Sequence, residues 1–369
     1  MISLADKYGI SIIARNGDTT GNRQQATDNQ QTDRQQPAVS SQPRLRVGVI
    51  GVGYLGKFHA EKYARMNDVE LAGIVDSDKS QAENVAGKLS AKAYPNYQDL
   101  LGKVDAVSIV VPTPAHFSIS KFFLENDVDV LIEKPMTTTL KEADELIRIA
   151  ESRGCIVQVG HLERFNPAVV ALRDIVKKPM FIESHRLSVY KGRGTDVSVV
   201  LDLMIHDIDI ILNFVKSEIK NIHSSGIPVI SGHVDIANAR LEFANGCVAN
   251  VTASRISTKN ERKIRLFQKD TYVSVDFANH DITVIQMRET GENAETELIP
   301  GMDIKRMNFE KGDALDDELK SFVRSVINRE ASEVTGQMGR DALKIALSVM
   351  DQICDRLQQA KDKGHSSFG

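Results

Sequence analysis

The sequence predicts two unlike domains. The first is an α/β domain with helices wound on both faces of a parallel sheet. The second is an α+β domain on a large, mostly antiparallel sheet. Three observations carry this. From Leu45, short runs rich in Val and Ile ("LRVGVIG", "ELAGIVD", "AVSIVVP", "DVLIEKP", "CIVQVGH") alternate with amphipathic stretches. Beyond Asn166 come long segments of alternating character, such as "HVDIANARLEFANGCVANVTASRIS" and "RKIRLFQKDTYVSVDF". The C-terminal "DALDDELKSFVRSVINRE" and "GRDALKIALSVMDQICDRLQQA" return to helical periodicity.

Each element has its own reason. Residues 1–43 are rich in Gln, Asn, Thr, Ser and Asp, cannot bury a core, and read as a disordered tail that adds nothing to the fold. They lack the apolar centre of a signal peptide, and Asp18, Asp28 and Asp33 speak against a transit peptide. In residues 44–165, continuous Val/Ile runs suit strands buried on both faces. "YLGKFHAEKYARM", "DKSQAENVAGKL" and "LKEADELIRIAESRG" read as the helices between them, the last ending at a capping Gly154. In residues 166–369 a helix comes first. The alternating strands that follow, with a turn at Gly246, present one face to solvent or to another subunit.

Composition narrows the class. At 369 residues, 41% apolar and 26% charged, the chain has enough material for two cored domains. A net charge of −4 gives no basic footprint for nucleic acid. No apolar run is long enough to span a bilayer. Cys155, Cys247 and Cys354 form no CxxC pair, which argues against a disulfide framework or structural zinc and fits a cytoplasmic setting.

"VGVIGVGYLGKFHAE" places Gly51, Gly53 and Gly56 in G-x-G-x-x-G spacing between a strand and a helix. The first glycine permits a tight turn, the second lets a pyrophosphate approach the backbone, and the third lets helix and strand pack closely. Tyr54 and Leu55 complete the loop. Asp76 ends the next strand, where this fingerprint places an acid for the ribose hydroxyls, so a Rossmann domain binding NAD rather than NADP is expected.

Ligands of such sheets sit at the carboxyl ends of the strands. Those ends hold Pro112, Thr113 and His116 in "VPTPAH", Glu133 and Lys134 in "EKP", and "VGHLERFNP" from His161 onward. Lys134 leaves an apolar strand into the cofactor crevice, the setting in which a lysine becomes a usable general base. His161 reads as a core histidine and His59 as a neighbour of the glycine loop. His116 is a candidate for the nicotinamide side.

One stretch stands out: "DLMIHDIDI", residues 202–210, sets three acids and a histidine in an apolar run. A buried carboxylate is costly unless paired, so these groups need partners. At 100° per residue, Asp202, His206 and Asp209 share one helical face while Asp207 points elsewhere. Such a face could orient a proton-transfer group, or hold a divalent metal in a hydrolase or lyase. A non-catalytic NAD sensor is a third reading, which the Lys134–Asp202–His206 set disfavours.

Taken together, the glycine loop, Asp76, "VPTPAH", "EKP", "RFNP" and "DLMIHDID" resemble the Gfo/Idh/MocA oxidoreductases from residue 44 to the C-terminus. The resemblance implies an NAD(P)-dependent enzyme acting on sugars, inositols or nucleotide sugars. It carries the family's catalytic lysine onto Lys134, and its aspartate and histidine onto Asp202 and His206. "GRGTDVSVVLDLMIHD" departs from the glycine-rich lead of many relatives. Within the family, "QVGHLERFNPAV", "ESHRL" and "RGTDVSVVLDLMIHDIDI" resemble the UDP-N-acetylglucosamine 3-dehydrogenases, which supply a 3-keto sugar for diamino-sugar lipid A. Arg164, Asn166, Arg186, Tyr190 and Arg193 are then expected to meet a pyrophosphate or sugar. No metal is expected, and a homodimer or homotetramer is.

Overall fold

The computed structural model describes residues 11–12, 43–190, 192, 197–287, 301–309 and 312–365. A two-residue strand, β1 (Ser11–Ile12), comes first and belongs to the larger of two sheets. The smaller sheet has β2 (Leu45–Ile50), β3 (Val69–Val75), β4 (Ala93–Tyr94), β5 (Ala106–Ile109), β6 (Asp129–Glu133) and β7 (Val157–Gly160). All pair in parallel in the order β4-β3-β2-β5-β6-β7. The order reverses between β2 and β5, so their carboxyl ends open a crevice there.

Helices α1 (Gly56–Tyr63), α2 (Lys79–Leu89), α3 (His116–Glu125) and α4 (Leu140–Arg153) connect these strands. α4 shows how the sequence sets an end. Thr139 and Glu142 form a reciprocal capping box at its start, and Gly154, at φ +66°, closes it.

After α5 (Pro167–Ile175) and β8 (Phe181–Leu187), a π turn at Val200–Met204 runs into α6 (Ile205–Val215). Then come β9 (Ile219–Ile227), β10 (Ile236–Phe243), β11 (Val248–Ser254), β12 (Glu261–Gln268), β13 (Thr271–Asp276), β14 (Asp281–Met287) and β15 (Met302–Asn308). The sheet order is β1-β15-β14-β13-β12-β8-β11-β10-β9, antiparallel except for the β8–β11 pair. α6 and the long α8 (Gly336–His365) cover one face. Ile205, Ile208, Ile211, Ala346 and Val349 pack there on Ile182, Ala239 and Val251. The other face carries ion pairs such as Arg265–Glu183 and Lys263–Asp276.

Two expectations about domain limits change. Ser11 pairs with Asn308 and Ile12 with Met307, so part of the polar N-terminal segment adds an edge strand. Helix α7 (Ala314–Asn328) packs on the smaller sheet rather than the larger. Its Leu319, Phe322 and Val323 join Val47, Val49, Ala60 and Tyr63 in one core. The apolar stripe announced a buried face, but a stripe does not say which sheet it will cover.

Candidate active site and cofactor cleft

The glycine loop is built as its spacing predicts. Gly51 takes φ +85°, and a Cβ there would lie 2.5 Å from the Val110 carbonyl oxygen. A Cβ on Gly56 would lie 1.8 Å from the Gly51 carbonyl oxygen, so α1 begins in contact with the loop it follows. Gly53 faces open space, which leaves the loop backbone approachable. Asp76 accepts the Val52 N–H at 2.7 Å and the Asp78 N–H at 2.9 Å. Gln81, absent from the sequence-based candidates, donates to the Val52 carbonyl at 2.8 Å and braces the loop from α2. The adjoining cleft, about 660 Å³, is lined by Gly51, Gly53, Asp76, Tyr97 and Pro112. An approachable backbone, a helix start and an acid beside the cleft fit a dinucleotide. Tyr54 is exposed and stacks edge-on against Phe58, while Leu55 is half-buried at the start of α1.

At the carboxyl end of β6, Lys134 meets the π turn. Its Nζ donates to the main-chain carbonyl of Asp202 at 2.7 Å and lies 3.4 Å from the Asp202 carboxylate. The half-buried His206 stands in the field of Lys134, Arg186, His161 and Arg262. Burial first, then those groups, hold its pKa well below the ordinary histidine value. His206 Nδ1 is buried without a hydrogen-bond partner among the described residues, as are both ring nitrogens of His161. Burial lowers the His161 pKa too, although nearby Asp209 opposes this. Both rings are therefore neutral near pH 7, and each neutral ring keeps one nitrogen able to accept a proton.

Beneath Lys134 lies a layer of buried acid. The Glu133 carboxylate sits 3.3 Å from His59 Nε2 and presses on Gly160, where an added Cβ would lie 2.8 Å from Glu133 Oε1. Glu318, from α7, is fully buried with neither oxygen bonded among the described residues. Burial, with Glu133 and Asp209 nearby, pushes its pKa well above the carboxylate range and favours its protonated form. It escaped the sequence-based reading, yet one sign was present. It occupies a helical stripe with Leu315, Leu319 and Phe322, where an acid is out of place.

Several expected contacts resolve differently. His116 is buried, with one ring nitrogen 2.9 Å from the Pro135 carbonyl oxygen and the other 2.7 Å from that of Val111. It staples the two loops that hold Pro112, Thr113 and Lys134. Arg164 and Arg186 are only 3% and 4% exposed and do not present themselves to a phosphate. Arg164 forms a two-pronged pair with Asp209 at 2.6 and 2.9 Å, and Arg186 another with Asp207 at 2.9 Å on each prong. Asn166 caps α5 through the Ala168 N–H and donates to Glu163. Tyr190 is exposed, and Arg193 lies outside the described residues.

The shared face of Asp202, His206 and Asp209 is also reworked. The π turn changes the helical phase between Asp202 and α6, and Asp209 is committed to Arg164. Among the described residues no three His, Cys, Asp or Glu side chains come close enough to hold a metal ion. A wider cleft of about 920 Å³ runs between the end of α6, β9 and α8; Arg164 lines it, but neither Lys134 nor His206 does.

A dinucleotide cleft and a lysine–aspartate–histidine junction at one sheet edge define an NAD-binding oxidoreductase of two domains. The model of the oxidoreductase family with an NAD-binding Rossmann fold matches residues 45–161, and that of the GFO/IDH/MocA C-terminal domain matches residues 183–273. The chain belongs to the Gfo/Idh/MocA family. It is 38% identical to the UDP-N-acetylglucosamine 3-dehydrogenase of Acidithiobacillus ferrooxidans, over 83% of this chain and 96% of the relative. A structure of a UDP-N-acetylglucosamine 3-dehydrogenase from that organism superposes with a TM-score of 0.80 at 36% identity, covering 85% of this chain and 98% of the other. The myo-inositol 2-dehydrogenase of Thermotoga maritima is 25% identical over 81% of this chain and 93% of its own length. A scyllo-inositol dehydrogenase from Lactobacillus casei shares the fold, with a TM-score of 0.70 at 18% identity over 85% and 98% of the two chains. No described helix is long and apolar enough to cross a membrane.

Proposed function

We propose that the protein oxidises a secondary hydroxyl of a nucleotide sugar, the 3-hydroxyl of UDP-N-acetylglucosamine, to the 3-keto sugar. The observation that carries this is Lys134 Nζ, 2.7 Å from the Asp202 carbonyl and beside a neutral His206, at the sheet edge that also forms the dinucleotide cleft. The substrate itself rests on the 38% identity to the Acidithiobacillus ferrooxidans enzyme. NAD, when bound, supplies the hydride acceptor.

In this reading Lys134 passes its own proton to the neutral His206 and takes the hydroxyl proton as the hydride leaves the same carbon, a role worth about 10²–10⁴-fold in rate. His206 anchors the hydroxyl or shares its proton, and Asp202 holds Lys134 in place. The Asp76 carboxylate favours ribose hydroxyls and repels a 2′-phosphate, which selects NAD over NADP. Glu133 supports the cofactor side from beneath, through His59 and Gly160. Tyr190, exposed after β8, and Arg193 remain proposed sugar or pyrophosphate contacts. The exposed face of the larger sheet is proposed to pair subunits into a homodimer or homotetramer. The 3-keto product would then pass to an aminotransferase, as diamino-sugar lipid A synthesis requires.

The test is a panel of UDP-sugars, free hexoses and inositols with NAD, read by NADH absorbance. Turnover confined to UDP-N-acetylglucosamine supports the reading. Turnover on an inositol alone would replace it with polyol oxidation.

A further inference from the structure

Asp207 and Asp209 stand one and three residues beyond His206 on α6, and each is gripped by its own buried arginine. We propose that the Arg186–Asp207 and Arg164–Asp209 pairs are positioning residues that fix His206 beside Lys134 and set the charge around it. The proposal rests on the active-site reading above, in which His206 serves the reaction.

The geometry is that of a clamp. Two residues apart on a helix is a rotation of about 200°, so the pairs hold α6 from nearly opposite sides and resist its rolling or sliding. Both lead to one short turn after β7. Arg164 reaches Asp209, while its neighbour Glu163 accepts from Arg186 at 2.9 Å. That turn begins at His161, itself close to His206. The clamp thus ties the end of β7, β8 and the catalytic part of α6 into one unit.

Stability alone does not account for this choice. Taking ion pairs out of water costs about as much as the pairs return, and apolar residues of similar size often pack as well. What apolar residues could not supply is a fixed direction and a fixed charge. The charges around His206 come from every side: Lys134 from β6, His161, Glu163 and Arg164 from the turn, Arg186 from β8 and Arg262 from β12. Asp202, Asp207 and Asp209 share its own segment. Burial does most to lower the His206 pKa, and with Asp207, Asp209 and Glu163 answered by arginines, Lys134, Arg186 and Arg262 lower it further. His206 then stays uncharged, free to accept a proton or a hydrogen bond.

The experiment is a histidine-ring NMR titration of the whole chain, with the His206 signal assigned by its loss in His206→Gln. It needs no substrate. Arg186→Gln removes a cation and should raise the His206 midpoint by about one pH unit, a tenfold gain in proton affinity. Arg186→Lys keeps the charge but loses the two-pronged grip. Its His206 midpoint should stay put while kcat falls about tenfold and the Kd for NAD is unchanged. Arg262 is 58% exposed and 3.8 Å from Glu163, so Arg262→Gln should fold normally and shift the midpoint upward by less. An unchanged midpoint in Arg262→Gln, and in Arg186→Gln where it folds, or an undiminished kcat in Arg186→Lys, would overturn the proposal. If His206→Gln itself keeps full turnover, the catalytic reading fails instead, whatever the titration shows.

Discussion

The dinucleotide cleft and the proposed catalytic junction lie at the carboxyl ends of the strands of one sheet, but they are made of different material. The cleft is backbone. One loop of six residues, held by Asp76 and Gln81, supplies the turn, the close approach and the helix start. The junction is side chain. It draws Lys134 from β6, His161 from the turn after β7, Asp202 from a π turn and His206 from α6, with Glu318 beneath from α7. Backbone sites are written locally, because glycine spacing is the structure. Side-chain sites depend on how distant elements pack.

This contrast can be tested by separating the halves. Lys134→Met should lower kcat by about 10²–10⁴-fold while the Kd for NAD, read by calorimetry, stays near that of the parent. Lost NAD binding in that variant would break the distinction. Gly56→Val should do the reverse. Its Cβ would collide with the Gly51 carbonyl, so NAD binding should disappear while circular dichroism and the environment of His206 persist. Phe322→Ala, in α7, should destabilise the protein by about 3–5 kcal/mol. The loss should appear in the smaller-sheet domain, seen as faster hydrogen exchange in β2 and β3, although the residue is distant in sequence. Asp76→Ser should weaken NAD binding moderately and narrow its advantage over NADP, measured as the ratio of the two Kd values.

The smallest effect concerns support of the π turn. Burial alone would raise the Asp235 pKa. The Ser231 hydroxyl and the N–H groups of Ile230, Val229 and Ser231 outweigh it and hold the carboxyl well below the usual range. Next to Asp235, the Val234 carbonyl accepts the Val199 N–H at 2.9 Å, at the entrance to the turn that carries Asp202. A pKa depressed by folding contributes stability that is complete above the unfolded value, near 4, and is lost as pH falls below it. Asp235→Asn should therefore lower Tm at pH 7 and flatten its fall between about pH 4 and pH 2. An acid limb identical to that of the parent would remove Asp235 from this role.

The same division explains what the sequence made legible. Alternating Val/Ile runs and helical stripes showed both sheets, and the glycine spacing with Asp76 located the cleft. Lys134 and Asp202 could be paired only through the family resemblance, since 68 residues separate them. Arg164 and Arg186 were expected at a phosphate because arginine suits phosphate geometry. The same planar fork suits a buried aspartate equally well, and residue type cannot distinguish the two. The π turn left no local sign, so helical phase alone placed Asp209 with Asp202 and His206 instead of with Arg164. Glu318 was the reverse case, an acid in an apolar stripe whose neighbours Glu133 and Asp209 lie far away in sequence.

The proposed reaction requires hydride to leave the sugar's third carbon at this junction. UDP-N-acetylglucosamine carrying deuterium at that carbon, incubated with the protein and NAD, tests it directly. The reduced cofactor should gain one mass unit, with the deuterium missing from a 3-keto product, and Lys134→Met should form neither. Unlabelled NADH from the same substrate would place the oxidation at another carbon and contradict the assignment.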